Sequence, residues 1–417
     1  MIYDRMGARG SGARRLILPV LSGRVKAMSK PELIAFIRDE IQEHGPIPFV
    51  RFMESALYHP TLGYYTSPGE KIGFRGDYYT SSSVHPIFGE LLAKQLLQML
   101  LALGEGESGY TLVEMGAGKG TLCFDILSYL KSTSPDVFNR LRYIIIEKSP
   151  TLRTRQRQRL EPFFLDRVQW EEAVPDRLIG VLFSNELLDA MPVHRLRVDR
   201  KTVQEIYVDW KDDRFVETLG PPSTPRLLDD LKKIDVQFDR PTEIEINLQA
   251  IDWMHRIGQS LARGYVVTID YGYPAEMLYT PRRPKGTFLC YYRHQTNENP
   301  YDHIGEQDMT AHIDFTALAR AGEEVGLSVI GFTDQTHFLM GLGIAQRMEP
   351  YGMEMDRSDE AKKQFLAMKQ LMAPDRMGRI FKILIQGKNI PPELKLDGLQ
   401  FKPFFKLLTL IFFFFMM

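Results

Sequence analysis

The chain has 417 residues, of which 44% are hydrophobic and 25% charged, and its net charge is −1. That balance is ordinary for a globular protein, and it excludes a wholly disordered chain and a global field that would draw nucleic acid. Two cysteines, Cys123 and Cys290, exclude a disulfide framework and a cysteine-built zinc site, and they point to a reducing compartment.

Residues 1–28 read as a disordered basic leader. Arg5, Arg9, Arg14, Arg15, Arg24 and Lys26 stand against one acid, Asp4. The composition resembles a mitochondrial transit peptide. A start codon placed too far upstream, with Met28 the true beginning, is the simpler account, because folded-looking sequence begins at Ser29. Ser29, Pro31 and Glu32 form an N-cap, a first-turn proline and a capping acid for a helix from Glu32 to His44. A turn-rich, aromatic stretch covers Gly45 to Tyr65. Between Lys71 and Ser83, Gly, Asp, Thr and Ser then cluster ahead of an amphipathic helix, Pro86 to Leu103. Such a segment is an ordinary surface loop or a lid over a neighbouring site. Asp77 and Thr80 are its candidate ligand contacts. Residues 29–105 are thus expected to form an N-terminal helical and lid segment.

The short β-type run Thr111 to Met115 meets a glycine-spaced turn at Gly116, Gly118 and Gly120, and a helix is expected from Thr121 to Lys131. Glycines let the backbone approach a ligand, and a helix N-terminus offers N–H groups to an anion. A dinucleotide site needs G-x-G-x-x-G, and Thr121 stands where its third glycine would be. An acid, Glu114, precedes the turn. Another, Glu147, ends the next strand, Tyr143 to Ile146, where a carboxylate can accept both hydroxyls of a ribose. This pattern resembles the S-adenosylmethionine site of Rossmann-like methyltransferases. A basic stretch, Lys148 to Arg159, reads as a solvated helix with Leu152 and Leu160 on one thin face. In the third strand, Arg167 to Trp170, Trp170 flanks an adenine ring or is plain core.

The apolar run Gly180 to Phe183 is a buried parallel strand that ends in Ser184, Asn185, Glu186 and Asp189. Ligands of open α/β sheets bind beyond such carboxyl ends. Glu186 and Asp189, with Asn185 beside them, are the candidate catalytic residues, since two carboxylates can orient a guanidinium close to a methyl donor. Ser184 or Asn185 also suits the N-cap of a following helix. An antiparallel insertion is expected at about 194–246, with a helix after Asn247 running through Leu261. Gly264 to Tyr273 is a further strand, which puts Asp270 at a carboxyl edge too. Residues 274–313 look loop-rich, and His294, His303 and His312 there lack a regular metal-ligand spacing, so no metal is expected. A helix from Asp314 to Val325, a strand from Leu327 to Thr333 and a last strand from Gly378 to Gln386 would complete a seven-stranded sheet with one antiparallel member. Residues 388–417 end in eleven apolar residues, too few for the ~20 of a membrane span, and are expected to lie outside the fold.

Taken in order, GPIPFVRFMESALYHPTLGYY, GDYYTSSSVHPIFGELLAKQL, VEMGAGKGTL, SNELLDAMPVHR, TIDYGY, the CYYRH to GEQDMTAHIDF block and MGRIFKILIQ resemble the MidA-like family. They span about Ser29 to Gln386. The mitochondrial members of that family are arginine methyltransferases that assist assembly of respiratory complex I. The resemblance implies a class I methyltransferase sheet at 106–387, S-adenosyl-L-methionine as cofactor, and closure of the GDYYTS segment over it. It also implies methyl transfer to an arginine of a protein partner. The chief alternative is an assembly factor that keeps the pocket without the chemistry; an NAD-dependent oxidoreductase is disfavoured by the glycine spacing. The glycine turn reads GAGKG where many relatives have GPGRG. The TSSSVHPIFGELLAKQL segment looks more like bacterial relatives, which puts the expected location in a bacterial cytoplasm; a mitochondrial matrix is the alternative should residues 1–27 be a transit peptide.

Overall fold

The computed structural model describes residues 30–67, 81–106, 109–234, 236–374, 377–391 and 394–401. Its central sheet has seven main strands. In chain order they are β1 (Tyr110–Met115), β2 (Leu141–Ile146), β3 (Val168–Glu171), β4 (Leu178–Asn185), β5 (Leu261–Tyr273), β6 (Ser328–Asp334) and β7 (Phe381–Lys388). Across the sheet they lie β3-β2-β1-β4-β5-β7-β6. The pairs from β3 to β5 are all parallel, and β7 runs antiparallel to both β5 and β6. The order reverses at β1, which has β2 on one side and β4 on the other. A doubly wound sheet opens a crevice at that switch point, beyond the carboxyl ends of β1 and β4.

The strands form where the sequence places apolar residues in unbroken runs, because both faces of this sheet are covered. Successive side chains point to opposite faces. Leu112, Tyr143, Ile145, Val181 and Phe183 enter one buried layer with the helices α1 (Ile87–Leu103) and α2 (Thr121–Thr133). Val113, Ile144, Leu182 and Val266 enter the other, with α4 (Leu248–Ser260) and α5 (Phe315–Glu323). The basic helix, α3 (Pro150–Phe164), lies between β2 and β3 in the chain and starts at Ser149, whose hydroxyl accepts from Leu152 N–H. Asn247 caps α4 and Asp314 caps α5 in the same way.

A second, antiparallel sheet is built from His194–Val198, Val203–Lys211, Arg214–Gly220 and Thr242–Ile246. It also takes a two-residue strand from far upstream. Ile47 and Pro48 pair with Val208 and Tyr207, beyond the start of the neighbouring strand His194–Val198. The third buried layer, which holds Leu33, Phe49, Phe52, Val208, Phe215, Phe288 and Met309, is therefore shared by the N-terminal helices, this sheet and a third sheet.

Three expectations need correction, and one gains detail. No helix follows β4: residues 186–193 form bends and turns, and Asp270 rather than Ser184 or Asn185 caps the first of them. Residues 274–313 are loop-rich as expected, but Leu289–Tyr292, Gln295–Asn297 and Asp308–Thr310 within them form a three-stranded antiparallel sheet. The helix Ile87–Leu103 packs in the same layer as β1 and β2 rather than in a separate N-terminal unit, because nearly every turn of it carries buried leucine. Lastly, residues 394–401 belong to the fold: Leu396 is buried, and Gln95 and Gln98 accept from Gly398 N–H and Asp397 N–H. Residues 388–391 are described as well, with Lys388 ending β7, whereas 392–393, 402–417 and the 1–28 leader lie outside the described residues. Among the described residues no helix is long and apolar enough to cross a membrane.

Candidate functional site

The turn after β1 demands glycine. Gly116, Gly118 and Gly120 have φ of 73°, 52° and 74°, in the left-handed region where a Cβ is strained. A Cβ at Gly116 would also lie 2.8 Å from the Leu187 side chain. Gly120 N–H closes the turn on Ala117 O at 2.8 Å, and α2 starts at the next residue.

Gln156, from α3, ties the turn to the acid of β2. Its Nε2 lies 3.0 Å from Gly118 O and 3.2 Å from Glu147 Oε2. Its Oε1 accepts from Trp170 Nε1 at 3.0 Å. Glu147 Oε1 accepts from Ser149 N–H at 2.8 Å. Burial raises the Glu147 carboxyl above the usual range, and the Ser149 and Gln156 bonds pull it back. Trp170 is half-buried, with the Arg157 guanidinium 4.3 Å from its ring centre. Glu114 is buried and accepts the Tyr143 hydroxyl at 2.6 Å; desolvation pushes it up to about 7.

A cavity of about 440 Å³ opens over the glycine turn, walled by Glu114, Asn185, Glu186, His85, Asp125 and Arg159. Glu147 and Trp170 are outside that lining. At its inner end Glu186 has φ 53°, and its N–H continues the sheet by donating to Ile269 O at 2.9 Å. Its carboxylate accepts Ser81 N–H, Asn185 Nδ2 and the Tyr271 hydroxyl, each at 3.0 Å. Burial outweighs these donors and pushes the group up to about 8. Asn185 Oδ1 is buried with no partner among the described residues. The expected contacts Asp77 and Thr80 lie outside the described residues.

A second group of acids sits past Glu186. Asp270 Oδ2 accepts Leu188 N–H at 2.8 Å and Asp189 N–H at 3.3 Å, which holds the turn after β4 against the end of β5. Asp189 is 5% exposed, and its Oδ1 has no partner among the described residues. Burial first, then the charges of Asp270, Asp308 and Glu186, hold Asp189 well above the usual carboxylate range. Asp308 is buried on the strand Asp308–Thr310 and accepts the Tyr65 hydroxyl at 2.7 Å. The Tyr58 and Tyr65 rings stack at 5.3 Å, and the Tyr58 hydroxyl donates to Ala190 O at 2.9 Å.

Sequence reasoning missed Gln156, Tyr271 and Asp308. Leu152, Gln156 and Leu160 are spaced i, i+4, i+8, so a buried glutamine on the apolar face of α3 was readable. Nothing in the sequence linked Asp308 to Tyr65.

A sheet of this order, with a three-glycine turn after β1 and an acid closing β2, defines the class I methyltransferase type of α/β protein. The comparisons with known proteins narrow it. Residues 91–333 match the family Methyltransf_28, described as "Putative S-adenosyl-L-methionine-dependent methyltransferase". The chain belongs to this family of methyltransferases. It is similar to a COG1565 superfamily protein from Burkholderia thailandensis whose crystal structure contains S-adenosyl-homocysteine. The two are 32% identical with a TM-score of 0.79, over 89% of this chain and 97% of that one. The Xenopus laevis protein named protein arginine methyltransferase NDUFAF7, mitochondrial, is 28% identical over 86% of this chain and 84% of its own. The Mus musculus protein of the same name is 28% identical over 82% and 81%.

Proposed function

We propose that the protein transfers a methyl group from S-adenosyl-L-methionine to an arginine side chain of a protein acceptor. The carrying observation is the buried acidic group at the carboxyl edge, where Asp189 keeps an unpartnered oxygen beside Asp270, Asp308 and Glu186. Carboxylates buried this deeply are costly without a cation, and a guanidinium entering among them meets that need with paired hydrogen bonds. The naming of the vertebrate relatives supports the same acceptor.

The residues of the glycine turn fit the cofactor. Gly116 and Gly118 line the cavity, all three glycines hold left-handed φ values that close the turn, and the Asn185 oxygen lacks a partner among the described residues. In this reading Gly116, Gly118 and Gly120 receive the amino-acid end, Glu147 takes the ribose hydroxyls, and Glu114 and Trp170 support turn and adenine. When bound, the cofactor supplies an electrophilic methyl on a sulfonium. Glu186 and Asp189, with Asn185 fixing Glu186, orient the acceptor nitrogen toward that methyl. Asp189 Oδ1 takes the proton that the guanidinium gives up. Positioning of this kind accounts for a large share of the acceleration of a displacement.

Calorimetry with S-adenosyl-L-methionine tests the cofactor half. Saturable binding is expected in the native protein and its loss in Gly118→Val; equal binding in both defeats it. Labelled-methyl transfer tests the acceptor half: label on arginine, reduced in Glu186→Ala, is expected, and full activity in that variant removes the assigned role. The TSSSVHPIFGELLAKQL segment and the Burkholderia thailandensis likeness support a bacterial cytoplasmic location, whereas the vertebrate relatives are named mitochondrial. Fractionation of the native host decides between them.

A further inference from the structure

We infer that Asp308 reads the acceptor: with Asp189 it forms the carboxylate pair that grips the guanidinium, and Tyr65 is the positioning residue that holds Asp308 in place. This rests on the arginine reading above and goes beyond it, because it adds to the acceptor contacts a residue on a different sheet.

Three observations carry it. First, Glu186 is already engaged. Its two oxygens receive Ser81 N–H, Asn185 Nδ2 and Tyr271 Oη, so its orientation is fixed toward the cofactor cavity. Asp189, in contrast, is buried with Oδ1 unpartnered among the described residues, and burial followed by the charges of Asp270 and Asp308 raises its carboxyl. Second, Asp308 is built into place. Its Oδ1 accepts Tyr65 Oη at 2.7 Å and Met309 N–H at 2.9 Å. Its strand is fastened to the turn that carries Asp189, since Ala311 N–H donates to Asp189 O at 3.1 Å. Third, the walls are aromatic. Tyr291 stands opposite Asp308 across the antiparallel pair, and the charges of Asp189, Asp308 and Glu186, behind burial, push its hydroxyl up to about 12. Tyr65, whose hydroxyl Asp308 accepts, stacks on Tyr58. Two acids with three tyrosines near them suit a planar, delocalised cation better than a compact ammonium.

The test compares the native chain with Asp308→Asn, Asp308→Glu and Tyr65→Phe. Each is given labelled S-adenosyl-L-methionine and a pool of synthetic peptides that carry one arginine each. Cofactor Kd is measured by calorimetry, and binding of ethylguanidine is read separately from the thermal midpoint. Loss of one charged hydrogen-bond partner is expected to raise the acceptor KM of Asp308→Asn by about tenfold to a hundredfold. The cofactor Kd should not move, Asp308→Glu should recover part of the loss, and Tyr65→Phe should shift KM in the same direction by less. Millimolar ethylguanidine should raise the native Tm by about 2 °C and leave Asp308→Asn unmoved. If arginine is labelled and both Asp308→Asn and Tyr65→Phe keep the native KM, the inference is overturned and the arginine reading stands. If no arginine is labelled yet ethylguanidine protects the native chain alone, the cation site stands and the arginine reading falls. Absence of both effects overturns both. Should Asp308→Asn fail to bind cofactor, Tyr65→Phe decides by its KM.

Discussion

Gln156 Nε2 lies 3.2 Å from Glu147 Oε2, and the same nitrogen lies 3.0 Å from the carbonyl of Gly118. One amide thus connects the acid of β2 to the glycine turn of β1. Replacing Gln156 with Ala leaves Glu147 buried with one donor fewer and frees the turn. The variant should bind S-adenosyl-L-methionine about tenfold to a hundredfold more weakly, while its far-ultraviolet spectrum stays native. Calorimetric titration measures it, and a native Kd would show that Gln156 only fills space.

Gly116→Ala places a Cβ on a residue at φ 73° and 2.8 Å from the tip of Leu187. The leucine tip can rotate away, so the backbone term dominates. A cost of about 1 kcal/mol is expected, seen as a lower urea midpoint with an unchanged slope. Cofactor affinity should drop with it, since Leu187 is then pushed toward the crevice.

Burial raises the carboxyl groups of Glu114 and Asp270 to about 7 and of Glu186 to about 8. An unfolded carboxyl titrates near 4. The folded chain therefore holds more protons than the unfolded chain between these values, and stability falls as pH rises across them. The cofactor-free protein should be most stable near pH 5 and lose at least about 5 °C of Tm by pH 8.5. Glu186→Gln should flatten the upper part of that slope. A Tm that climbs from pH 5 to 8.5 would contradict the buried-acid description.

Tyr143→Phe removes the hydroxyl that Glu114 accepts at 2.6 Å. Above pH 7 the carboxylate would be buried without that donor, and a loss of about 1–3 kcal/mol is expected. Near pH 5 Glu114 holds its own proton, so the loss should be smaller. Urea unfolding at the two pH values separates this charge effect from simple loss of packing, which would be equal at both.

The sheet was largely legible because its strands are continuous apolar runs of fixed length bounded by polar turns: Leu141–Ile146 and Leu178–Asn185 announce themselves. The glycine turn was legible for a steric reason, since few other residues tolerate three left-handed conformations in five positions. The helices Gln335–Leu342 and Ile344–Glu354 were not assigned, because Gly341, Gly343 and Pro350 interrupt their apolar period; Asp359–Met372 has no such break and was readable. Within the site, Asn185, Glu186 and Asp189 follow from the end of one strand. Asp308 and Tyr65 do not: they stand 243 positions apart, and only tertiary packing brings a buried aspartate on a three-residue strand to a tyrosine hydroxyl. Local pattern carries no record of such a meeting.

The pairing of Ile47 and Pro48 with Val208 and Tyr207 has a temporal consequence. On a ribosome the early segment emerges long before its partner strand exists, and the strand that carries Asp308 comes later still. Until then the aromatic and leucine side chains of residues 33–57 lack Val208, Phe215, Phe288 and Met309, which complete their cover in the folded chain. A nascent chain arrested before about residue 210 should thus be a strong client for chaperones, and methylation cannot start until most of the polypeptide has been made.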